Sequence, residues 1–271
     1  MLMGRNALYY EDYILAIQRF NSVISAKPYL AEPYFYRGLA KFYLEDYAGA
    51  ETDCTLALNK RPYTVQYYTL RALCRINMEM YDSAVSDYRE ALHQNPIERN
   101  NWHNMVLCLM ELERYEEADL ALDSMMLLWP RESSQCTMKA QVSLAKQDTL
   151  LAEEWVDSAL VLNNYDGNAW SMKASMYINR EEYKDAEAAL DKAIVQKPRL
   201  TGLYINRALT RFQQNNIRGA MSDYDQAIDI DANNYIAHHN RGLLRAQVGD
   251  DNRAIEDFDY VLSVEPDNMI A

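Results

Sequence analysis

An alanine returns every 34 residues, eight times, with no insertion or deletion: Ala16, Ala50, Ala84, Ala118, Ala152, Ala186, Ala220 and Ala254. The prolines keep the same step. Pro28, Pro62, Pro96, Pro130, Pro198 and Pro266 share one phase, Asn164 and Ala232 fill the gaps, and only Pro33 stands outside it. A period of this length marks stacked units that repeat one set of contacts. A side chain held to a single methyl group in every unit marks a close helix–helix contact, where extra methylenes would cost about 1–3 kcal/mol.

The other phased positions agree when each unit is numbered so that its proline is position 32. Position 4 is Tyr34, Tyr68, Trp102, Cys136, Trp170, Tyr204 and His238, mostly large rings. Position 8 is small in all but one unit: Gly4, Gly38, Ala72, Val106, Ala140, Ala174, Ala208 and Gly242. Position 24 carries Phe20, Cys54, Tyr88, Leu122, Val156, Leu190, Tyr224 and Phe258. Spacings of three and four keep each set on one helical face. Two short helices per unit follow, with small residues letting them approach and large ones filling the gaps between units.

Proline and glycine are scarce, seven and eight residues in 271, which disfavours an all-β chain with many turns. The net charge of −13 is spread along the chain, and phosphate binding needs clustered Lys and Arg, so nucleic acid is not an expected partner. No run of apolar residues is long enough to span a membrane, and the start, Met1-Leu2-Met3-Gly4-Arg5, lacks the order of a signal peptide.

The stretch Gly167–Leu200 carries Trp170, Ala174, Tyr177, Ala186, Leu190, Ala193 and Pro198 in the places of the pattern W-x2-L-G-x2-Y, A-x3-F, P. In this it resembles the tetratricopeptide repeat family, departing at Lys173, Ala174 and Leu190. The resemblance covers the whole chain. It implies an all-α fold, a right-handed superhelix of helix pairs in one solenoid, with the first helix of each pair on the concave side. The expected boundaries are a partial repeat at 1–30, then 31–64, 65–98, 99–132, 133–166, 167–200, 201–234 and 235–268, with 269–271 opening a further repeat. Met269-Ile270-Ala271 matches Tyr235-Ile236-Ala237 one period earlier, with no polar capping helix after it. The expectation is a piece of a longer repeat protein, its compartment left open.

The repeats are of two kinds. Position 7 is Arg37, Arg71, Arg207 and Arg241 where position 23 is Asp53, Asp87, Asp223 and Asp257. Both residues are absent together in three units, which carry Met105 with Ala121, Lys139 with Trp155 and Lys173 with Ala189. Position 11 follows the split, with Lys41, Arg75, Arg211 and Arg245 in the Arg–Asp units. An ion pair tying the two helices of a unit explains this better than an anion site, because each arginine arrives with its own aspartate.

No phosphate loop, H-E-x-x-H motif or nucleophile–base set can be placed among these residues, and no cofactor or metal is expected. His238 and His239 point to different helix faces. Cys74 and Cys108 share position 10 of successive units, too far apart for a disulfide between equivalent helices stacked roughly 8–10 Å apart. Cys74 and Cys108 therefore read as buried thiols, and none of Cys54, Cys74, Cys108 and Cys136 stands in a C-x-x-C or metal-finger spacing.

In the family, ligands touch the first helix at positions 2, 5, 6, 9, 12 and 13. Carried onto this chain, those positions give Phe35, Leu39, Phe42 and Tyr43; Leu73, Ile76 and Asn77; His103, Asn104 and Met110; Asn206 and Phe212; and His239 and Asn240. The sixth unit offers the more polar Ser171, Ser175 and Asn179. A groove of this kind is apolar and amide-bearing. It does not resemble the carboxylate-clamp subgroup, which needs Lys and Arg. Asn104, Asn206 and Asn240 at position 6 resemble the asparagine ladder of sugar-transferase repeats, although only two are consecutive. Amides suit an extended peptide, since they donate to and accept from its backbone. Equally, positions 9 and 12 are apolar wherever neighbouring helices must pack. The reading is a non-enzymatic scaffold that holds a peptide or partner domain in its groove. The alternatives are a structural or regulatory arm of a larger enzyme or multidomain protein, and self-association through repeat ends.

Overall fold

The computed structural model describes residues 1–264. Pro266, the end of the eighth repeat and the residues expected to open a ninth lie outside them. The chain divides into two compact units, Met1–Pro130 and Arg131–Ala271. The first holds four helix pairs: α1 (Leu2–Tyr9) with α2 (Tyr13–Ala26), α3 (Glu32–Tyr43) with α4 (Tyr47–Lys60), α5 (Val65–Asn77) with α6 (Tyr81–Gln94), and α7 (Arg99–Glu111) with α8 (Tyr115–Leu128). The second holds four more: α9 (Ser133–Ala145) with α10 (Thr149–Leu162), α11 (Gly167–Asn179) with α12 (Tyr183–Gln196), α13 (Thr201–Gln213) with α14 (Ile217–Ile230), and α15 (Tyr235–Gln247) with α16 (Asp251–Val264). No strand occurs among the described residues. Each unit is an all-α solenoid of paired helices at the 34-residue step, and within each unit every helix packs against the one before and the one after. Helices of 8–14 residues are marginal alone in water, so this stacking is what holds them.

Every pair turns on the same backbone device. Position 15 lies in the left-handed region in all eight repeats: Glu11, Glu45, Glu79, Glu113, Gln147, Glu181 and Asn215 have φ between 55° and 63°, and Gly249 has φ 81°. That conformation lets the next N–H fold back to position 11, as in Asp46 N to Lys41 O (3.0 Å) and Met80 N to Arg75 O (2.8 Å). In four repeats the residue at position 16 then caps the second helix. The side chains of Asp12, Asp46, Asp148 and Asn216 accept from the N–H of Leu15, Gly49, Leu151 and Gly219 at 2.9–3.0 Å.

The helices of a pair meet at the repeating alanine, which is 0–2% exposed in all eight repeats. Beside it, positions 8 and 24 are matched in size. A Cβ built on Gly4 would lie 2.7 Å from the Phe20 ring, and one on Gly242 2.7 Å from Phe258. Glycine at these two sites makes room for the two phenylalanines.

At four junctions the ring at position 4 donates to the carbonyl at position 32 of the preceding repeat. The Tyr34 and Tyr204 hydroxyls donate to Pro28 O and Pro198 O (both 3.1 Å), and the Trp102 and Trp170 indoles to Pro96 O and Asn164 O (both 2.8 Å). His238 Nε2 lies 3.2 Å from Ala232 O. The sequence holds a clue to this, because position 4 is Tyr, Trp or His in six units and never Phe. The ring must carry a donor as well as fill space.

Left-handed backbone is costly for a side chain with a Cβ. Glu113→Gly should therefore raise the stability of the chain by ~1 kcal/mol. Chemical denaturation followed by circular dichroism checks this, and an equal loss would show that the glutamate itself holds the turn.

Candidate functional site

The first helix of each repeat must be held at a fixed angle before its exposed residues can form a surface. In four repeats a buried aspartate does this. Arg37 bonds to Asp53 through two nitrogens, one at 2.8 Å; Arg71 reaches Asp87 at 2.9 and 2.6 Å, Arg207 reaches Asp223 at 3.0 and 2.6 Å, and Arg241 reaches Asp257 at 3.1 and 2.7 Å. The aspartate side chains are only 1–4% exposed. One base would leave such a carboxylate poorly satisfied. The base at position 11 supplies the rest: Lys41 lies 3.0 Å from Asp53, and Arg75, Arg211 and Arg245 each lie 2.8 Å from their aspartates.

The same arginines reach backwards. Their remaining nitrogens donate to position 25 of the preceding repeat: Arg37 to Asn21 (2.7 Å), Arg71 to Thr55 (3.1 Å), Arg207 to Asp191 (2.6 Å) and Arg241 to Asp225 (2.7 Å). Burial works against the charge of Arg207, but its bonds to Asp223 and Asp191 outweigh this and hold its pKa above the usual guanidinium value. One side chain thus ties three helices.

The other repeats replace the pair in different ways. Met105 and Ala121 are both buried and apolar. Lys139 lies over the Trp155 ring, 5.8 Å from its centroid, so an aromatic face stands where the carboxylate would be. Lys173 turns to the preceding repeat instead, meeting Asp157 at 2.7 Å and Glu153 at 3.0 Å. Arg180 shares Glu153, and the hydrogen bonds of Arg180 and Lys173 pull that carboxyl down to about 2.

On this frame, the first unit presents an aromatic face. Phe35 is half-buried, its ring 4.9 Å from that of Tyr67, and Leu39 and Phe42 pack half-buried on a cluster of Ala50, Cys54, Leu70 and Cys74. Tyr43 is exposed and stacks on Tyr13 at 5.1 Å. Leu73, Ile76, Asn104 and Met110 are half-buried, and His103 is exposed. Asn77 is exposed, with its amide turned back to Leu73 O (2.8 Å).

In the second unit two apolar hollows adjoin at Leu209. One, of about 250 Å³, is lined by Ile178, Tyr183, Asn206, Leu209, Thr210 and Gln213. The other, of about 100 Å³, is lined by Leu209, Phe212, Tyr224, Asn240, Leu243, Leu244 and Gln247. Neither contains a charged side chain in its wall. Leu209 and Leu243 are 42% and 48% exposed. Three of the expected residues, Asn206, Phe212 and Asn240, line these hollows. His239 lines neither, and its ring centroid lies 6.0 Å from that of Phe258. Ile178 stands at position 12 of the sixth repeat, where the positional rule alone would place it. Tyr183 comes from the second helix of that repeat, and only the fold brings it in.

Among the described residues, no group of three or more His, Cys, Asp or Glu is placed to hold a metal ion. No helix there is long and apolar enough to cross a membrane.

Sequence models of the tetratricopeptide repeat match residues 65–97 and 167–198, and a related TPR repeat model matches 208–249. Over these stretches the chain is built of tetratricopeptide repeats. No curated protein matches it by sequence. Among solved structures, yeast Tom70 is similar with a TM-score of 0.68 at 16% identity, over 93% of this chain and 55% of its own. The APC/C hetero-tetramer Cut9-Hcn1 gives 0.66 at 13% identity, over 95% and 51%, and a tetratricopeptide repeat protein from Parabacteroides merdae gives 0.65 at 20%, over 86% and 92%. The chain spans about half the length of the Tom70 and Cut9-Hcn1 chains. At these identities the likeness is one of fold.

Two predictions follow from the ion pairs. Asp223→Ala leaves Arg207 and Arg211 facing a buried gap and should cost about 3–5 kcal/mol. Adding Arg207→Met and Arg211→Leu copies the repeat built on Met105, Leu109 and Ala121, and should recover at least half of that loss on denaturant titration. Because the folded pKa of Glu153 is depressed, its contribution is present above the ordinary carboxylate range and is lost as pH falls towards about 2. The difference in thermal midpoint between the natural chain and Glu153→Gln should therefore be constant near neutrality and shrink below about pH 4.

Proposed function

We propose that the chain is a non-enzymatic scaffold that holds a partner protein by an extended peptide segment, laid along the first helices of the repeats. The observation that carries this is the pair of adjoining hollows at Leu209, lined by apolar side chains together with the amides of Asn206, Gln213, Asn240 and Gln247. Apolar side chains of a partner gain roughly 25 cal/mol for each Å² they bury in such hollows. The lining amides suit the intervening backbone, since each both donates and accepts. A charged or phosphorylated ligand has no counter-charge in either wall. Asn206 and Asn240 sit one repeat apart at the same position, so a strand crossing both repeats meets the same chemistry twice. In the first unit, Phe42 and Tyr43 offer an aromatic counterpart on the equivalent face. Tetratricopeptide repeats mediate protein–protein contacts, which supports this reading.

Affinity capture from the source proteome tests this, comparing the natural chain with a Leu209→Glu/Leu243→Glu variant whose helicity is checked by circular dichroism. The variant should lose the partners that the natural chain retains, by tenfold or more. Recovery of the same partners at the same level would remove these hollows from the function.

A further inference from the structure

The stacking of repeats places position 24 of one repeat against position 10 of the next. Phe20 and Ala40 share a buried cluster in this register, as do Tyr224 and Leu244. At the contact between α4 and α5 the same register brings together Cys54 and Cys74, both 0% exposed and packed with Ala50 and Leu70. Cys74 is the neighbour that acts most strongly on the Cys54 thiol. Here alone along the chain the register pairs cysteine with cysteine, because Cys108 faces Tyr88 and Cys136 stands at position 4. We propose that Cys54 and Cys74 are a modification site: a dithiol that oxidises to a disulfide and locks the third repeat onto the second.

The oxidant is a low-molecular-weight disulfide such as glutathione disulfide. The Cys54 thiolate attacks one of its sulfurs, an S–S bond breaks and one thiolate leaves to be protonated. Cys74, deprotonated in turn, attacks the Cys54 sulfur of the mixed disulfide and expels the second thiol. The protein loses two protons and two electrons, and the oxidant becomes two thiols. The neighbouring Cys74, followed by burial, pushes the Cys54 thiol well up, so the closed contact is inert to passing reagents. Exchange therefore proceeds when α4 and α5 part, during folding or local opening. The bond would close a span of about 20 residues and restrict the unfolded chain accordingly. Its effect reaches the surface, since Leu39 and Phe42 rest on the same cluster.

The test refolds the full-length chain in mixed reduced and oxidised glutathione. It is then quenched in acid, alkylated with N-ethylmaleimide in denaturant, and its peptides mapped by mass spectrometry. The expected result is one linked peptide joining Cys54 to Cys74, with Cys108 and Cys136 alkylated. The thermal midpoint should rise by roughly 5 °C over the reduced chain and fall back on adding dithiothreitol. Cys74→Ala, which places at position 10 the residue already present as Ala40, should show no such redox-dependent shift. A Cys108→Ala/Cys136→Ala variant should keep both the link and the shift, and it decides the matter if Cys74→Ala fails to fold. Alkylation of Cys54 and Cys74 after refolding, a Cys74–Cys108 link, or a linked chain that melts no higher would each overturn the proposal.

Discussion

The contact on which everything else rests is the approach of two helices across a single methyl group. Each repeating alanine is sealed from solvent, and the facing small residue at position 8 sits where a larger one would meet the opposite helix. Close packing of this kind fixes the distance between helices to within an ångström or so, because interiors are packed at the density of organic crystals. Once that distance is set, the side chains around it have defined partners. The Gly4–Phe20 and Gly242–Phe258 pairs show volume traded across the contact without changing the geometry of the repeat.

Charge provides the second tie, and it varies where the methyl contact does not. Four repeats bury an aspartate under two bases, one repeat buries methionine and alanine, one sets lysine over tryptophan, and one sends its lysine to the previous repeat. All are ways of filling the same space without leaving an unpaired charge, the costly outcome in a medium of low dielectric. The arginine solution adds something the others lack, because a forked guanidinium can serve two helices at once. The repeats that use it are bound to their predecessors as well as internally closed.

The surface that remains exposed is what such a frame leaves free. In the second unit the hollows around Leu209 are apolar because the polar groups of α13 and α15 are consumed elsewhere. Arg207, Arg211 and Arg241 turn inward to their carboxylates, and the Thr210 hydroxyl bonds to Asn206 O (2.7 Å). The amides of Asn206 and Asn240 remain in the lining. An uncharged face on a chain of net charge −13 is a consequence of where the charges had to go.

The amino-acid sequence by itself determined the repeat, its length and phase, the pairing of helices and the co-occurrence of Arg and Asp at positions 7 and 23. These are periodic properties, and a period can be read without knowing how units stack. Left-handed backbone at position 15 was partly legible, since Gly249 and Asn215 occupy it, but five glutamates there conceal it. The tertiary structure decided what depends on the offset between one repeat and the next: the polar side chain that each of the four arginines reaches in the preceding repeat, the carbonyl that five of the position-4 rings find, the entry of Tyr183 into a hollow formed with α13, and the meeting of Cys54 with Cys74 where position numbers had set Cys74 beside Cys108. That offset is set by the sum of many side-chain volumes across each interface. No single position in a 34-residue unit records it.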